Sequence, residues 1–465
     1  MFSITRSRAA LAAALLFPLA TSAADPELTA LQNELRQLRE SYGQRIAELE
    51  QRLAAAQGGS SPALPGAAPA TAAPIPSGGG NAFNPEISLI LQGGYRSGKN
   101  LEERQITGFP SAAGHDHGEE GGPRRGFSLD ETELTLAANI DPRFRGSANL
   151  ALHDGEVEVE EAWLQTLALG RGFTLRAGRF LSGIGYANEQ HPHQRDFAGP
   201  ALMHEALFGE HGSYANDGLQ LRWVAPTPLF LELGAEVGRG ANFPGTDRNV
   251  NGAGSTALFA HLGGDVGDSH SWRAGLSWLG TRARERESHY TDTWAGEEVA
   301  GAFSGRSRTW IADLVWKWAP GGNARQTSLT FQTEYFQRRE SGGLSCFEEE
   351  SSGASACAEP VDSRYRARQS GWYAQTVYQF HPEWRVGVRY DRLDAGSLDF
   401  GANNTHLVRP DYQPDRATLM MDWNPSEFSR LRLQFARDQA QQGLTDNQWW
   451  LQYIVSLGAH GAHAF

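Results

Sequence analysis

Beyond its first two dozen residues the chain has no continuous apolar run long enough to cross a bilayer as a helix. Basic charge is also in short supply: 41 Lys and Arg face 54 Asp and Glu, a net charge of −13, which argues against nucleic acid as a partner. Catalytic signatures are missing. No GxSxG stretch supplies a nucleophile elbow, and scattered serines, histidines and acids do not make a triad by composition. Neither HExxH nor a cysteine-rich metal motif occurs. The chain therefore reads as no enzyme, no nucleic-acid binder and no helical membrane protein.

The N-terminus, MFSITRSRAALAAALLFPLATSAADPE, places Arg6 and Arg8 before an apolar run from Ala9 to about Ala20, with small residues following. Residues 1–23 form a secretory signal peptide, so the mature chain is exported. Export permits a disulfide between the only two cysteines, Cys346 and Cys357, and two free thiols are the alternative. In residues 24–55, Leu28, Leu31, Leu35, Leu38 and Tyr42 are spaced by threes and fours, and the stripe resumes at Ile46, Leu49 and Leu53. That is a short coiled coil with a stutter, which favours self-association, a trimer among the options. An amphipathic helix resting on the body is the other reading. Residues 56–82, rich in Pro, Ala, Gly and Ser, read as a linker.

From residue 83 onward the period is two. GLQLRWV sets Leu219, Leu221 and Trp223 on one face and Gln220 and Arg222 on the other, and LFLELGAEV, TWIADLVWKW and RLRLQF repeat the pattern. Short polar turns, such as IDPRF and FHPEW, alternate with long connections near 98–125, 182–215, 238–255, 281–306, 339–367 and 392–413. Short turns at one end and long loops at the other describe an all-β transmembrane antiparallel barrel over residues 83–465, with sixteen strands. A barrel of that size encloses an aqueous channel.

The stretches FNPEISLILQGGY and FTLRAGRFLSGIGYANEQHPHQRDF resemble Gram-negative outer-membrane porins, nearest the phosphate-selective-porin-like and zinc-regulated outer-membrane group. The C-terminal Phe465 is similar to the terminal aromatic that such barrels offer to their assembly machinery. The resemblance implies an outer-membrane site among lipid and lipopolysaccharide, a homo-oligomer, the coiled coil in the periplasm, and passive diffusion of small solutes or ions. Phosphate specificity does not carry over. The third external loop, 182–215, holds Arg195 but no lysine, and it contains four histidines and several acids. The rival readings are a TonB-dependent-receptor-like metal uptake protein and a non-conducting adhesive or structural barrel.

Alternation points Arg176, Arg222, Arg273, Arg385, Arg389, Arg430 and Arg432 into the pore, together with Glu232 and Glu236. Arg385, Arg389, Arg430 and Arg432 could form a basic wall, and Glu158, Glu160, Glu232 and Glu236 an acidic one. The alternative is a set of locally neutralised charges that hydrate the lumen. Loop 182–215 is the expected constriction. Its His191, His193, His204 and Glu205 are candidate metal ligands if the segment folds back on itself. His115, Asp116, His117, Glu119 and Glu120 crowd the first long loop, between glycines. They suit weak, exchangeable Zn²⁺ capture or plain solvation. No cofactor is required.

Overall fold

The computed structural model describes residues 86–101, 104–109, 124–153, 156–209, 212–294, 296, 298–347, 357 and 361–458. The expected leader, coiled coil, linker, 115–120 run and terminal Phe465 lie outside these residues. Among the described residues there are sixteen strands. The first eight are β1 (Glu86–Ser97), β2 (Gly126–Asp141), β3 (Phe144–His153), β4 (Glu156–Thr166), β5 (Phe173–Leu181), β6 (Ala215–Val224), β7 (Phe230–Gly238) and β8 (Ser255–Val266). Then come β9 (His270–Thr291), β10 (Glu298–Trp318), β11 (Ser328–Phe347) and β12 (Val361–His381). The last four are β13 (Trp384–Asp399), β14 (Asp415–Ser426), β15 (Ser429–Gln439) and β16 (Asp446–Gly458). A single-turn helix pair and α1 (Leu202–Phe208) interrupt the β5–β6 connection.

Every strand is antiparallel to its neighbours, and β1 pairs with both β2 and β16, so the sheet closes on itself. Closure leaves no edge of unbonded N–H and C=O groups, the condition for a sheet surrounded by hydrocarbon. Side-chain polarity is inverted relative to a water-soluble barrel. Leu219, Leu221, Leu233, Leu258, Leu276 and Leu433 are exposed, whereas Arg338 and Arg432 are among the largest fully buried side chains. Leu419 is 57% exposed and Asp422, three residues on along the same strand, is 0%. The period-two reading therefore selects the correct face strand after strand.

One expectation needs correction. Among the described residues the connections near 281–306 and 339–367 are largely strand, and 392–399 of the connection 392–413 is strand too, because β9 to β12 run for 20–22 residues and β13 continues to Asp399, where β5 to β7 run for only 9–10. The tall wall persists because its inner face changes character. Val299, Phe303, Leu344, Tyr365 and Phe400 pack into an apolar cluster beside Cys346 and Cys357, which are joined by a disulfide. On the outer face the apolar row ends, and charged residues such as Arg282, Arg339 and Arg368 follow. Alternation continues with its two faces exchanged, a pattern that looks like loop when only one polarity is sought.

If the exposed apolar face meets lipid, Leu419→Arg should cost about 2–4 kcal/mol of folding free energy. Urea titration of the barrel in lipid vesicles measures it.

Candidate functional site

The strands supply a ring of polar side chains, and the segment from Ser182 to Tyr214 folds across their middle. Each hold on it is specific. Glu236 of β7 accepts from the Ser182 hydroxyl at 2.7 Å and from the Gly183 N–H at 2.9 Å. Ser277 of β9 accepts from Gly185 N–H at 3.0 Å, and Glu334 of β11 accepts from Tyr186 N–H at 2.7 Å. Gly185 has φ +68°, and a Cβ there would sit 2.4 Å from the Glu334 carboxylate, so both backbone and space demand glycine. On the far wall Gln434 of β15 both accepts from and donates to the Ala198 peptide, at 2.8 and 3.0 Å. Asp391 of β13 receives Leu202 N–H at the start of α1 at 3.0 Å.

The four arginines expected as a basic wall lie on β13 and β15, on either side of β14. Asp422 of β14 binds Arg385 at 2.7 Å and Arg432 at 2.8 Å, with Arg430 at 3.8 Å. Asp391 lies 3.2 Å from Arg389. The same guanidiniums hold loop carbonyls: Arg389 donates to Gly199 and Pro200, Arg432 to Arg195, and Arg430 to His193 and Arg195. Arg385 also pairs with Asp196 of the loop at 2.7 Å. These cations are neutralised and occupied in seating the loop.

On the other side of the ring by strand order, β7 carries Glu232 and Glu236 and β4 carries Glu158 and Glu160. Glu232 meets His261 at 2.9 Å and Arg222 at 3.4 Å, and Arg222 also pairs with Glu189 of the loop. Arg176 stacks over Trp163 at 4.3 Å, and Arg273 lies over Tyr186 at 5.3 Å.

The four candidate metal ligands of the loop do not converge. His204 is drawn to β11, with Nε2 2.7 Å from Glu334 and Nδ1 3.0 Å from the Gly212 carbonyl. Glu205 pairs with Arg104 and Arg416, both at 2.8 Å. Burial opposes its ionisation, but these two guanidiniums hold the carboxyl down to about 2. Helix α1 fixes both residues in those directions. His191 and His193, two positions apart, do come together, their rings stacked at 5.9 Å. They meet acids of β2 and β4: His193 Nδ1 lies 2.9 Å from Glu133, and His191 Nδ1 lies 3.2 Å from Glu160 and 3.7 Å from Glu133. His191 Nε2 lies 3.3 Å from Glu161. Burial favours a neutral His191 ring, yet its hydrogen bonds to Glu160 and Glu161 hold it well above the ordinary histidine value.

Glu161 is a residue that alternation assigns to the outer face. A register shift between Asn149 and Leu150 on β3 leaves Glu160 as the extra residue of a bulge, so consecutive glutamates face inward. A bulge leaves no mark in a single sequence. Glu131, which groups with Glu133 and His193, has the inward parity and was accessible to the pattern. The disulfide-linked Cys346 and Cys357 sit 5.6 Å apart at Cα in the upper wall, away from this loop.

Asp422→Asn should destabilise the barrel by about 3–5 kcal/mol, because it leaves buried arginines facing a neutral amide. Denaturant midpoints in lipid vesicles check this, with the exposed Asp411→Asn expected to leave the midpoint unmoved.

No family model matches the chain. Among solved structures it resembles a loop-deletion mutant of OmpT, an outer membrane protein of Vibrio cholerae, with 10% identity, a TM-score of 0.48, and coverage of 81% of this chain and 100% of that one. The anion-selective porin from Comamonas acidovorans has 10% identity and a TM-score of 0.46 over 80% of this chain and 99% of its own. The outer membrane channel DcaP of Acinetobacter baumannii has 12% identity and a TM-score of 0.46 over 80% and 97%. In sequence, an uncharacterized protein of Aquifex aeolicus (strain VF5) is 33% identical over 407 residues, 83% of this chain and 80% of that protein. With that identity over that length, the chain belongs to the same family as the Aquifex aeolicus protein.

Proposed function

We propose that this protein is an outer-membrane porin through which small hydrophilic solutes or ions diffuse passively, narrowed by the segment 182–214. The observation that carries the reading is a closed sixteen-stranded barrel, apolar outside and charged inside, with one loop bonded across its lumen. Permeation needs no catalytic step, only a width and a field. Arginines of β13 and β15 and glutamates of β4 and β7 stand on opposite arcs of the ring, but Asp196, Asp391 and Asp422 neutralise the arginines and Arg222 and His261 meet Glu232, which favours lining charges that are balanced locally and hydrate the passage. Sixteen strands fall short of the 22 of plugged outer-membrane transporters, which weighs against the receptor reading. On this view residues 1–23 are a leader, 24–55 a periplasmic coiled coil that supports a trimer, 56–82 a linker, and 83–465 the barrel inserted by the assembly machinery.

A specific observation favours a link to divalent metals. Donor atoms 2.0–2.1 Å from a tetrahedral ion lie about 3.3 Å apart. Around His191 Nδ1 the separations from Glu160 and Glu133 are 3.2 and 3.7 Å. Glu161 on the opposite ring nitrogen would orient the imidazole, as an outer carboxylate does at many zinc centres. Metal entry would release the ring proton. This cluster lies within the barrel, apart from any weak capture by the external 115–120 run.

Single-channel recording in planar bilayers tests the porin reading. Stepwise conductance is expected, and Glu334→Ala, which frees Tyr186 N–H, His204 and Tyr373 together, should enlarge and roughen the steps. A barrel that stays silent overturns the reading in favour of an adhesive or structural role. Micromolar Zn²⁺ should reduce the current through wild type and through a 115–120 deletion, but not through His191→Ala. Equal inhibition of all three removes the lumenal metal site, and loss of inhibition on the deletion alone moves it to the external loop.

A further inference from the structure

The tall wall of β9 to β12 carries a second charged feature, on its outer face. Trp310, Tyr335 and Trp372 are exposed there at the end of the apolar belt. Just beyond them the outward positions become arginine. Arg308 of β10 stands directly opposite Arg339 of β11, which in turn stands directly opposite Arg368 of β12. One pleat further on, Arg306 of β10 stands opposite Arg282 of β9, and Arg366 of β12 completes the second row. All six are exposed.

Like charges placed directly across a strand pair repel and destabilise the sheet. Strands are about 4.8 Å apart, so the three guanidiniums of the first row fall within about 10 Å, and the second row stands about 7 Å above it. No carboxylate occupies an outward position in the first row. In the second, Arg366 has Asp399 opposite it on β13, whereas in the first Arg339 donates to Gln337 at 3.0 Å. Of the remaining exposed acids, Asp394 of β13 stands one pleat nearer the belt, opposite Ser370, where it accepts from the Gly396 N–H at 2.8 Å, and Glu285, Glu287, Glu298 and Asp362 lie further from the belt. The repulsion is relieved if an external anion with several oxygens bridges the rows, and phosphate matches the guanidinium fork.

We infer that this arginine field is a binding site for phosphorylated lipid headgroups, resting on the membrane-spanning reading of the barrel. Its position supplies the partner. Arginines one or two pleats beyond an aromatic girdle stand at headgroup depth, where an acyl chain can lie along the leucines below while its phosphates meet the guanidiniums.

The test uses the full chain purified in detergent, with bisphosphorylated lipid A, the same lipid after dephosphorylation, and inorganic phosphate as probes. Native mass spectrometry reads retained lipid. Wild type should retain the bisphosphorylated form and lose the dephosphorylated one. The triple variant R308Q/R339Q/R368Q should retain about tenfold less. A second triple in the short turns at the other end, R143Q/R171Q/R325Q, should retain lipid as wild type does, which separates a local site from bulk charge. Equal retention by wild type and the first triple, or equal loss in both triples, overturns the inference. So does displacement of the lipid by millimolar inorganic phosphate, which would mark a site for the free ion. Planar-bilayer conductance of the first triple should match wild type, so a failure of the channel reading and a failure of this one give different results.

Discussion

A peptide N–H or C=O left without a partner in hydrocarbon costs several kcal/mol, and this single penalty organises the molecule. It forces the sheet to close, and closure turns every strand into a boundary between two solvents. The outer face must then be apolar through the belt, and the inner face takes what remains. Arg432, Glu334, Asp422 and Gln452 are consequently buried in this barrel, while Leu219, Leu258 and Leu419 are exposed.

Buried charge creates the second requirement. A guanidinium or carboxylate out of water needs an opposite charge and hydrogen bonds to match, or it destabilises its surroundings. Segment 182–214 meets that requirement with its backbone. Its carbonyls accept from Arg389, Arg430 and Arg432, and its N–H groups donate to Glu236, Glu334 and Asp391. The constriction and the charge lining are thus one bonded system. Changing a lining charge to alter selectivity would also move the loop.

Beyond the belt the outer face turns from apolar to charged, and the strands exchange faces. Inside, Phe303, Tyr365 and Phe400 form an apolar cluster, while outside arginines take over from Leu276 and Trp310. The strands whose inner face can build a core grow tall, and β5 to β7 stop short. Wall height is therefore a property of the residues inside the rim.

Sixteen strands, their approximate centres and the two faces of their regular stretches were legible in the sequence, because a two-residue period is local and survives in any one strand. The linkage of Cys346 to Cys357 was legible as an allowed pairing once export had been read from the leader. The ends of β9 to β13 were missed where the polarity of the two faces reverses. At the site, the inward arginines were named from alternation, but their partners were not. Asp422 meets Arg432 only through the β14–β15 register, and His204 meets Glu334 across 130 positions. Glu161 faces inward only through a bulge. Periodicity is set by neighbours along the chain, so sequence alone determined the barrel and its two faces. Closure, register and the path of one loop depend on contacts between distant strands, so only the tertiary structure decided which charges meet.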